Sequence, residues 1–330
     1  MKILKWGILG TATIAVEQLI PALLMSEFNS VIAIASRNKS KAKLIGERFR
    51  IPTCFGAYEK VLDMDEIEAV YIPLPNHLHV EWAIKALQKG KHVLLEKPVG
   101  MNAQEANALM EASVQFPQLK IMEAFMYRFH PQWIKVRQLI NNGFIGKVTL
   151  VESSFSFFED NPKSIVNSKE CGGGSLMDVG CYPISVARLI FREEPISVMA
   201  QMEVDPKLQI DASTSGILEF KTGRALIHSS IRQFEKQSLT ISGEKGSIEV
   251  AVPFNPEADW ESNLILKNHE GVTDFTIERC NQYVLQVDSF ALSVRNKSVL
   301  PIGLKESVAN MKVIDALKES HQKQRKIYLS

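Results

Sequence analysis

The amino-acid sequence predicts an α/β chain in two parts: a doubly wound parallel sheet over roughly the first 120 residues, then an α+β region rich in antiparallel strands. Short apolar runs alternate with helix-period segments as far as Phe125, the pattern of parallel strands joined by crossover helices. From Lys147 onward the apolar residues recur with period two, with Gly223, Gly243 and Gly246 marking turns, and this reads as hairpin-linked strands. A chain of 330 residues suits about two domains, drawn here as 1–122 and 123–330.

In the first part, strands are expected at 3–9, 31–35, 69–73, 93–95 and 120–125, with helices at 14–25 and 39–49. Asn102 followed three residues later by Glu105 resembles a capping box and opens a helix to about residue 114. Pro131 opens, and Gly143 closes, a further helix. The second part is read as strands at 147–158, 196–204, 214–220, 225–231, 237–242 and 247–251, with helices at 182–191 and 305–323.

A formal net charge of +1 with 45% hydrophobic and 23% charged residues is ordinary for a globular protein and gives no sign of a nucleic-acid or acidic-membrane partner. The four cysteines show no C-x-x-C spacing, so neither a zinc site nor a redox pair is indicated, and no metal is expected. Thiols of this kind suit a reducing compartment. The stretch 6–16 is broken by Glu17 and Gln18 without a cleavage site, and no run approaches the roughly 18 apolar residues of a membrane helix. The expected location is cytoplasmic.

The chemistry is concentrated where predicted strands end, since ligands of open α/β sheets bind beyond the strands' carboxyl ends. Between the first strand and its helix runs Gly10-Thr11-Ala12-Thr13-Ile14-Ala15. It is a degenerate G-x-G-x-x-[GA] turn in which Ala12 replaces the second glycine, and it fits a dinucleotide pyrophosphate or an ordinary βα turn. The second strand ends in Ser36-Arg37-Asn38-Lys39, with Lys41 nearby, where NAD binders place a carboxylate. A hydroxyl and a guanidinium suit a 2′-phosphate, so NADP is favoured over NAD; a solvated basic turn is the alternative. Leu74-Pro75-Asn76-His77-Leu78-His79 follows the third strand on the same edge and can line the cofactor or simply cap a helix.

The run Val93-Leu94-Leu95 stops at Glu96-Lys97-Pro98. An amine there, with its backbone restricted by the following proline, is placed for acid–base work, although a solvated Glu–Lys pair at a strand end reads equally well. In the second half, Gly172-Gly173-Gly174 leads into Asp178 and Tyr182. If that turn is helical the two side chains share a face. Pro183 argues instead for a helix starting near Tyr182, with Asp178 just before it. A glycine loop capped by a core tyrosine is the plain alternative.

Taken in order, the Gly10 turn, Pro75-Asn76, Glu96-Lys97-Pro98, Phe125-Met126-Tyr127-Arg128, the glycine run through Tyr182 and the terminal helix resemble the glucose–fructose oxidoreductase / inositol dehydrogenase / MocA (Gfo/Idh/MocA) family over nearly the whole chain. The resemblance implies a Rossmann domain followed by a domain with a large open, mainly antiparallel sheet that commonly forms a homodimer interface, possible also in a tetramer. It implies that Lys97 is catalytic and that the Lys97-Pro98 bond is of the cis type. Many members carry Asp and His where this chain has Asp178 and Tyr182; the Tyr form is similar to the branch holding NADP-dependent xylose dehydrogenase and dimeric dihydrodiol dehydrogenase. The implied reaction is hydride transfer between nicotinamide C4 and a carbinol carbon of a sugar, polyol or trans-dihydrodiol. Lys97 and Tyr182 would be the acid–base pair, with Asp178 and Arg128 on the substrate. The cofactor would rest on Gly10, Thr11, Ala12, Ile14, Ser36, Arg37, Lys41, Leu74, Pro75, Asn76, His79, Glu96 and Lys97. A catalytically silent dinucleotide sensor of the same fold is the rival reading; it is expected to lack the lysine that this chain has. Phe155, Phe157, Phe158 and Trp260 can line a substrate site or pack the sheet.

Overall fold

The computed structural model describes residues 2–329. Two compact units emerge: Met1–Met126 with Asn281–Val308, and Tyr127–Cys280 with Ala309–Ser330. The return of 281–308 to the first unit is not foreseen by a single boundary at 122/123.

The first unit is built on six strands: β1 (Leu4–Leu9), β2 (Asn29–Ala35), β3 (Thr53–Phe55), β4 (Ala69–Ile72), β5 (His92–Leu95) and β6 (Ile121–Glu123). They lie in the order β3-β2-β1-β4-β5-β6, with every pair parallel. The order reverses between β2 and β4 on either side of β1, so the crevice for a ligand opens at the end of β1. β4 is buried at every position and β1 at all but one, as strands covered on both faces must be. The helix Gln282–Arg295 also belongs here; Trp6 meets its Phe290 at 5.2 Å. Arg295 forms a two-pronged bond to Glu68, both contacts at 2.8 Å.

The second unit holds β7 (Val148–Phe158), β8 (Ser197–Val204), β9 (Asp211–Glu219), β10 (Arg224–Ser230), β11 (Arg232–Gly243), β12 (Gly246–Val250), β13 (Ser262–Asn268), β14 (Gly271–Ile277) and β15 (Ile327–Tyr328). The nine strands form one sheet in the order β14-β13-β12-β11-β7-β10-β9-β8-β15. Only β7 and β10 pair in parallel; the other neighbours are antiparallel. Along β9, Ala212, Thr214 and Leu218 are buried while Ser215 and Ile217 stand exposed. One face is therefore covered, by the helices Cys181–Phe191 and Leu304–Lys323 among others, and the other is open. On that open face Met199, Ser215, Ile217, Leu226, His228 and Thr240 line a shallow depression of about 690 Å³.

Among the elements that escape the sequence reading are β3, β13, β14, β15 and the helix Gln282–Arg295. β14 is exposed along four consecutive residues and has no buried stripe to betray it. The helix buries Gln282, Gln286 and Ser293 along with its apolar residues, which blurs the helical period. Among the described residues no helix is long and apolar enough to cross a membrane.

Candidate active site

In the first unit the strand ends bring the expected residues to one edge. Gly10 closes β1 by donating its N–H to the Ala35 carbonyl at 2.9 Å. Its φ of +134° is a glycine conformation, and an added Cβ would press on Pro73 O and Leu74 at 3.3 Å. The helix that follows opens with a π turn, Ala15–Leu19, before Ile20–Met25. Thr11, Ala12 and Ile14 are half-buried at its mouth. Thr11 Oγ1 donates to Ser36 Oγ at 3.4 Å, joining this turn to the end of β2. Arg37, Lys39 and Lys41 are exposed there, and Asn38 caps the next helix by accepting from Lys41 N at 3.2 Å. A narrow glycine turn, a helix start and a cationic β2 terminus free of carboxylates fit a phosphorylated dinucleotide.

The Lys97 backbone is held on both sides. Buried Glu96 accepts a bond from the Tyr71 hydroxyl and another from Lys97 N–H at 3.2 Å. The Lys97-Pro98 peptide is cis, and the Pro98 carbonyl lies 2.7 Å from His79 Nδ1. His79 Nε2 faces the Leu74 carbonyl at the same distance. His79 is 0% exposed, which corrects its assignment as a cofactor contact: the ring is an internal strut between the loops after β4 and β5. Burial, helped by the Lys97 charge, depresses its pKa to about 4 against the pull of the two carbonyls. Glu96 likewise directs its carboxylate to Tyr71 and the backbone. Lys97 itself is half-buried, as are Pro75 and Asn76.

Tyr283 escapes sequence reasoning altogether. Burial raises its pKa, the negative charge of Glu96 raises it further, and Lys97 opposes both. A phenol on the helix Gln282–Arg295 thus sits within the field of the Glu96–Lys97 pair.

In the second unit the glycine run leads into a π turn, Leu176–Gly180, continuous with the α-helix Cys181–Phe191. This settles the open question of the turn: Asp178 lies inside the helical segment, four residues before Tyr182 and nearly one π turn away. Wide turns of this type recur at functional sites. Pro183 is accommodated in the first turn of the α-helical part, where proline costs little. Tyr182 is 4% exposed and stands among three rings: Tyr127 at 5.8 Å, Phe155 at 5.4 Å and Phe254 at 5.3 Å. Phe155 and Phe254 stack at 11°. Gln132 holds the Phe254 loop by donating to the carbonyls of Val252 and Pro253, while Gln237 Oε1 accepts from the N–H groups of Phe254 and Asn255. Tyr127 Oη pairs with Ser185 Oγ at 2.7 Å. Arg128 is half-buried in the single turn Met126–Phe129. Phe155 is therefore packing for Tyr182, whereas Phe158 and Trp260 are exposed. Among the described residues no His, Cys, Asp and Glu side chains gather as a metal site requires.

Two family models match: the oxidoreductase family with an NAD-binding Rossmann fold over residues 4–118, and the GFO/IDH/MocA C-terminal domain over residues 133–249. An uncharacterised oxidoreductase of Rhizobium meliloti is 40% identical over 98% of both chains. The D-xylose 1-dehydrogenase (NADP+) of Haloferax volcanii is 37% identical over 96% of this chain and 97% of its own. Among solved structures, the 3-ketoreductase KijD10 of Actinomadura kijaniata, in complex with NADP and TDP-benzene, superposes with a TM-score of 0.92 at 27% identity, covering 97% of this chain and 98% of its own. Forms of that enzyme with a lysine or a tyrosine replaced have also been crystallised. The chain described here belongs to the Gfo/Idh/MocA family of NAD(P)-dependent oxidoreductases.

Proposed function

We propose that this enzyme is an NADP-dependent dehydrogenase or reductase acting on a carbinol carbon of a sugar, a polyol or a trans-dihydrodiol, with Lys97 and Tyr182 as its acid–base pair. The observation that carries this reading is Lys97 itself: an amine at the carboxyl edge of the parallel sheet, its backbone fixed by Glu96 on one side and by the His79-bound Pro98 carbonyl on the other. Bound NADP supplies or accepts a hydride at its nicotinamide C4. The Gly10–Ile14 turn binds the pyrophosphate, and Ser36, Arg37 and Lys41 bind the 2′-phosphate. Leu74, Pro75 and Asn76 line the dinucleotide. Tyr182 moves the substrate hydroxyl proton. The Lys97 ammonium holds the same oxygen and stabilises the charge that develops on it. Asp178 and Arg128 orient the remaining hydroxyls.

A D-xylose 1-dehydrogenase (NADP+) at 37% identity supports the sugar and the cofactor. Trans-dihydrodiol dehydrogenase of Xenopus laevis, 31% identical over 80% of this chain, keeps the diol in the substrate class. The open face of the second sheet, with exposed Met199, Ile217 and Leu226, suits a homodimer interface, and free thiols suit the cytoplasm.

Fluorescence titration with NADPH and NADH, followed by a panel of aldoses, ketosugars, polyols and a trans-dihydrodiol, tests the reading. NADPH is expected to bind at least about tenfold tighter, a difference of roughly 1.4 kcal/mol, and at least one aldose to be turned over. Tighter NADH binding, or no turnover across the panel, contradicts it.

A further inference from the structure

The segment that carries Asp178 and Tyr182 is fastened from outside by a carboxylate absent from every sequence motif. Asp211, the first residue of β9, is half-buried, and its Oδ2 accepts three hydrogen bonds. Ser175 Oγ donates at 2.7 Å, Leu176 N–H at 2.7 Å and Thr214 Oγ1 at 2.8 Å. Leu176 N–H is one of the amides that a helix start leaves without an internal partner. A negative charge there also opposes the positive end of the helix dipole.

The glycines of the loop follow from this arrangement. Gly174 has φ +105°, and a Cβ on it would lie 2.2 Å from Asp211 Oδ1. Its carbonyl accepts from Asp178 N–H at 3.0 Å, so the residue pressed against Asp211 also sets the turn that carries Asp178. A Cβ on Gly180 would lie 2.8 Å from Ser229 Oγ of β10, and Ser229 is hydrogen-bonded to Ser175. The helix start is thus seated on two strands of the sheet. Lys318, from the helix Leu304–Lys323, adds a positive charge acting on Asp211 and places Nζ 3.3 Å from Met177 Sδ. Lys318 is also in the field of Asp315.

We infer that Asp211 is a positioning residue for catalysis: through Ser175, Leu176 and the turn at Gly174 it fixes where the Tyr182 phenol and the Asp178 carboxylate stand. The inference rests on the proposed role of Tyr182 and adds what places it. A displacement of about 1 Å in a reacting group can cost on the order of 100-fold in rate.

The test measures NADP+-dependent oxidation of D-xylose together with NADPH affinity. Asp211→Ala is expected to lower kcat about 100-fold, and Asp211→Asn, which keeps an oxygen acceptor, about tenfold or less. NADPH affinity should stay unchanged in both, because the proposed cofactor residues lie in the first unit. In a Tyr182→Phe background, Asp211→Asn should change kcat less than about twofold, since groups acting as one unit are not additive. Fluorine NMR of 3-fluorotyrosine at position 182 supplies a readout that needs neither substrate nor turnover. Asp211→Asn, or Ser175→Ala should Asp211→Ala fail to fold, is expected to broaden or split that resonance. A single unchanged resonance, or a kcat loss that multiplies undiminished onto Tyr182→Phe, overturns the inference. If Tyr182→Phe alone leaves kcat intact, the proposed role of Tyr182 fails, and the fluorine signal still decides whether Asp211 places the ring.

Discussion

The two units hold Lys97 and Tyr182, the side chains proposed as the acid–base pair, by different means. In the first, Lys97 is held through its backbone by a carboxylate on its own N–H and an imidazole on the next carbonyl, while the side chain stays half-exposed. In the second, Tyr182 is held through its ring by Tyr127, Phe155 and Phe254, and is almost wholly buried. The difference follows from the groups. An ammonium must keep access to water or a polar partner, because desolvation discourages its charge. A phenol loses little by burying its ring if the hydroxyl keeps a polar contact. Polar struts therefore aim the amine, and packing aims the phenol.

The largest effect is expected from removing the amine. Lys97→Met should lower kcat by about 10²–10⁴-fold, the usual worth of acid–base help, or roughly 3–5 kcal/mol of barrier. NADPH affinity should remain, and fluorescence titration beside steady-state rates checks both.

The second effect is a dependence of stability on acid. His130, 1% exposed in the second unit, accepts Gln132 N–H on Nδ1, and burial depresses its pKa to about 4. His92 in the first unit accepts Lys120 N–H and is depressed to about 4 by burial, then by Arg295. The unfolded chain binds more protons at these sites between pH 6.5 and 4, so stability is full above that window and is lost as pH falls through it. A shift of this size corresponds to about 3 kcal/mol for the buried His130. Urea unfolding of His130→Asn at pH 7 and pH 5 should show a smaller difference between the two pH values than the parent.

Smaller again is the cofactor preference. Arg37→Ala should weaken NADPH binding about tenfold, or roughly 1.4 kcal/mol, and leave NADH unchanged; paired titrations check it. The mildest test addresses the ring cluster: Phe254→Leu, which keeps an apolar side chain but removes the stack on Phe155, should cost about 1 kcal/mol of stability, within the range of aromatic pair energies. Its denaturant midpoint should fall while NADPH affinity holds.

Much of the first unit was legible because chain chemistry and position coincide there. Gly10 needs its positive φ, Lys97 follows an unbroken apolar strand, and Arg37 stands where a carboxylate would be diagnostic. His79 misled because a histidine in an edge loop reads the same whether its ring faces a ligand or two carbonyls. The supports of Tyr182 were hidden for another reason. Asp211 lies 29 residues after Tyr182 by sequence number, and Phe254 lies farther still, so only the sheet's pairing brings them to the segment they hold. Tyr283 escaped because its helix buries glutamines on the same face as its apolar residues.

Whether the amine and the phenol act on one substrate oxygen, as proposed, is read from a double-mutant cycle in kcat over Lys97→Met and Tyr182→Phe. The double variant is expected to be about as slow as the slower single variant, as for groups working as a unit. Losses that multiply in full, with NADPH affinity intact throughout, would contradict it.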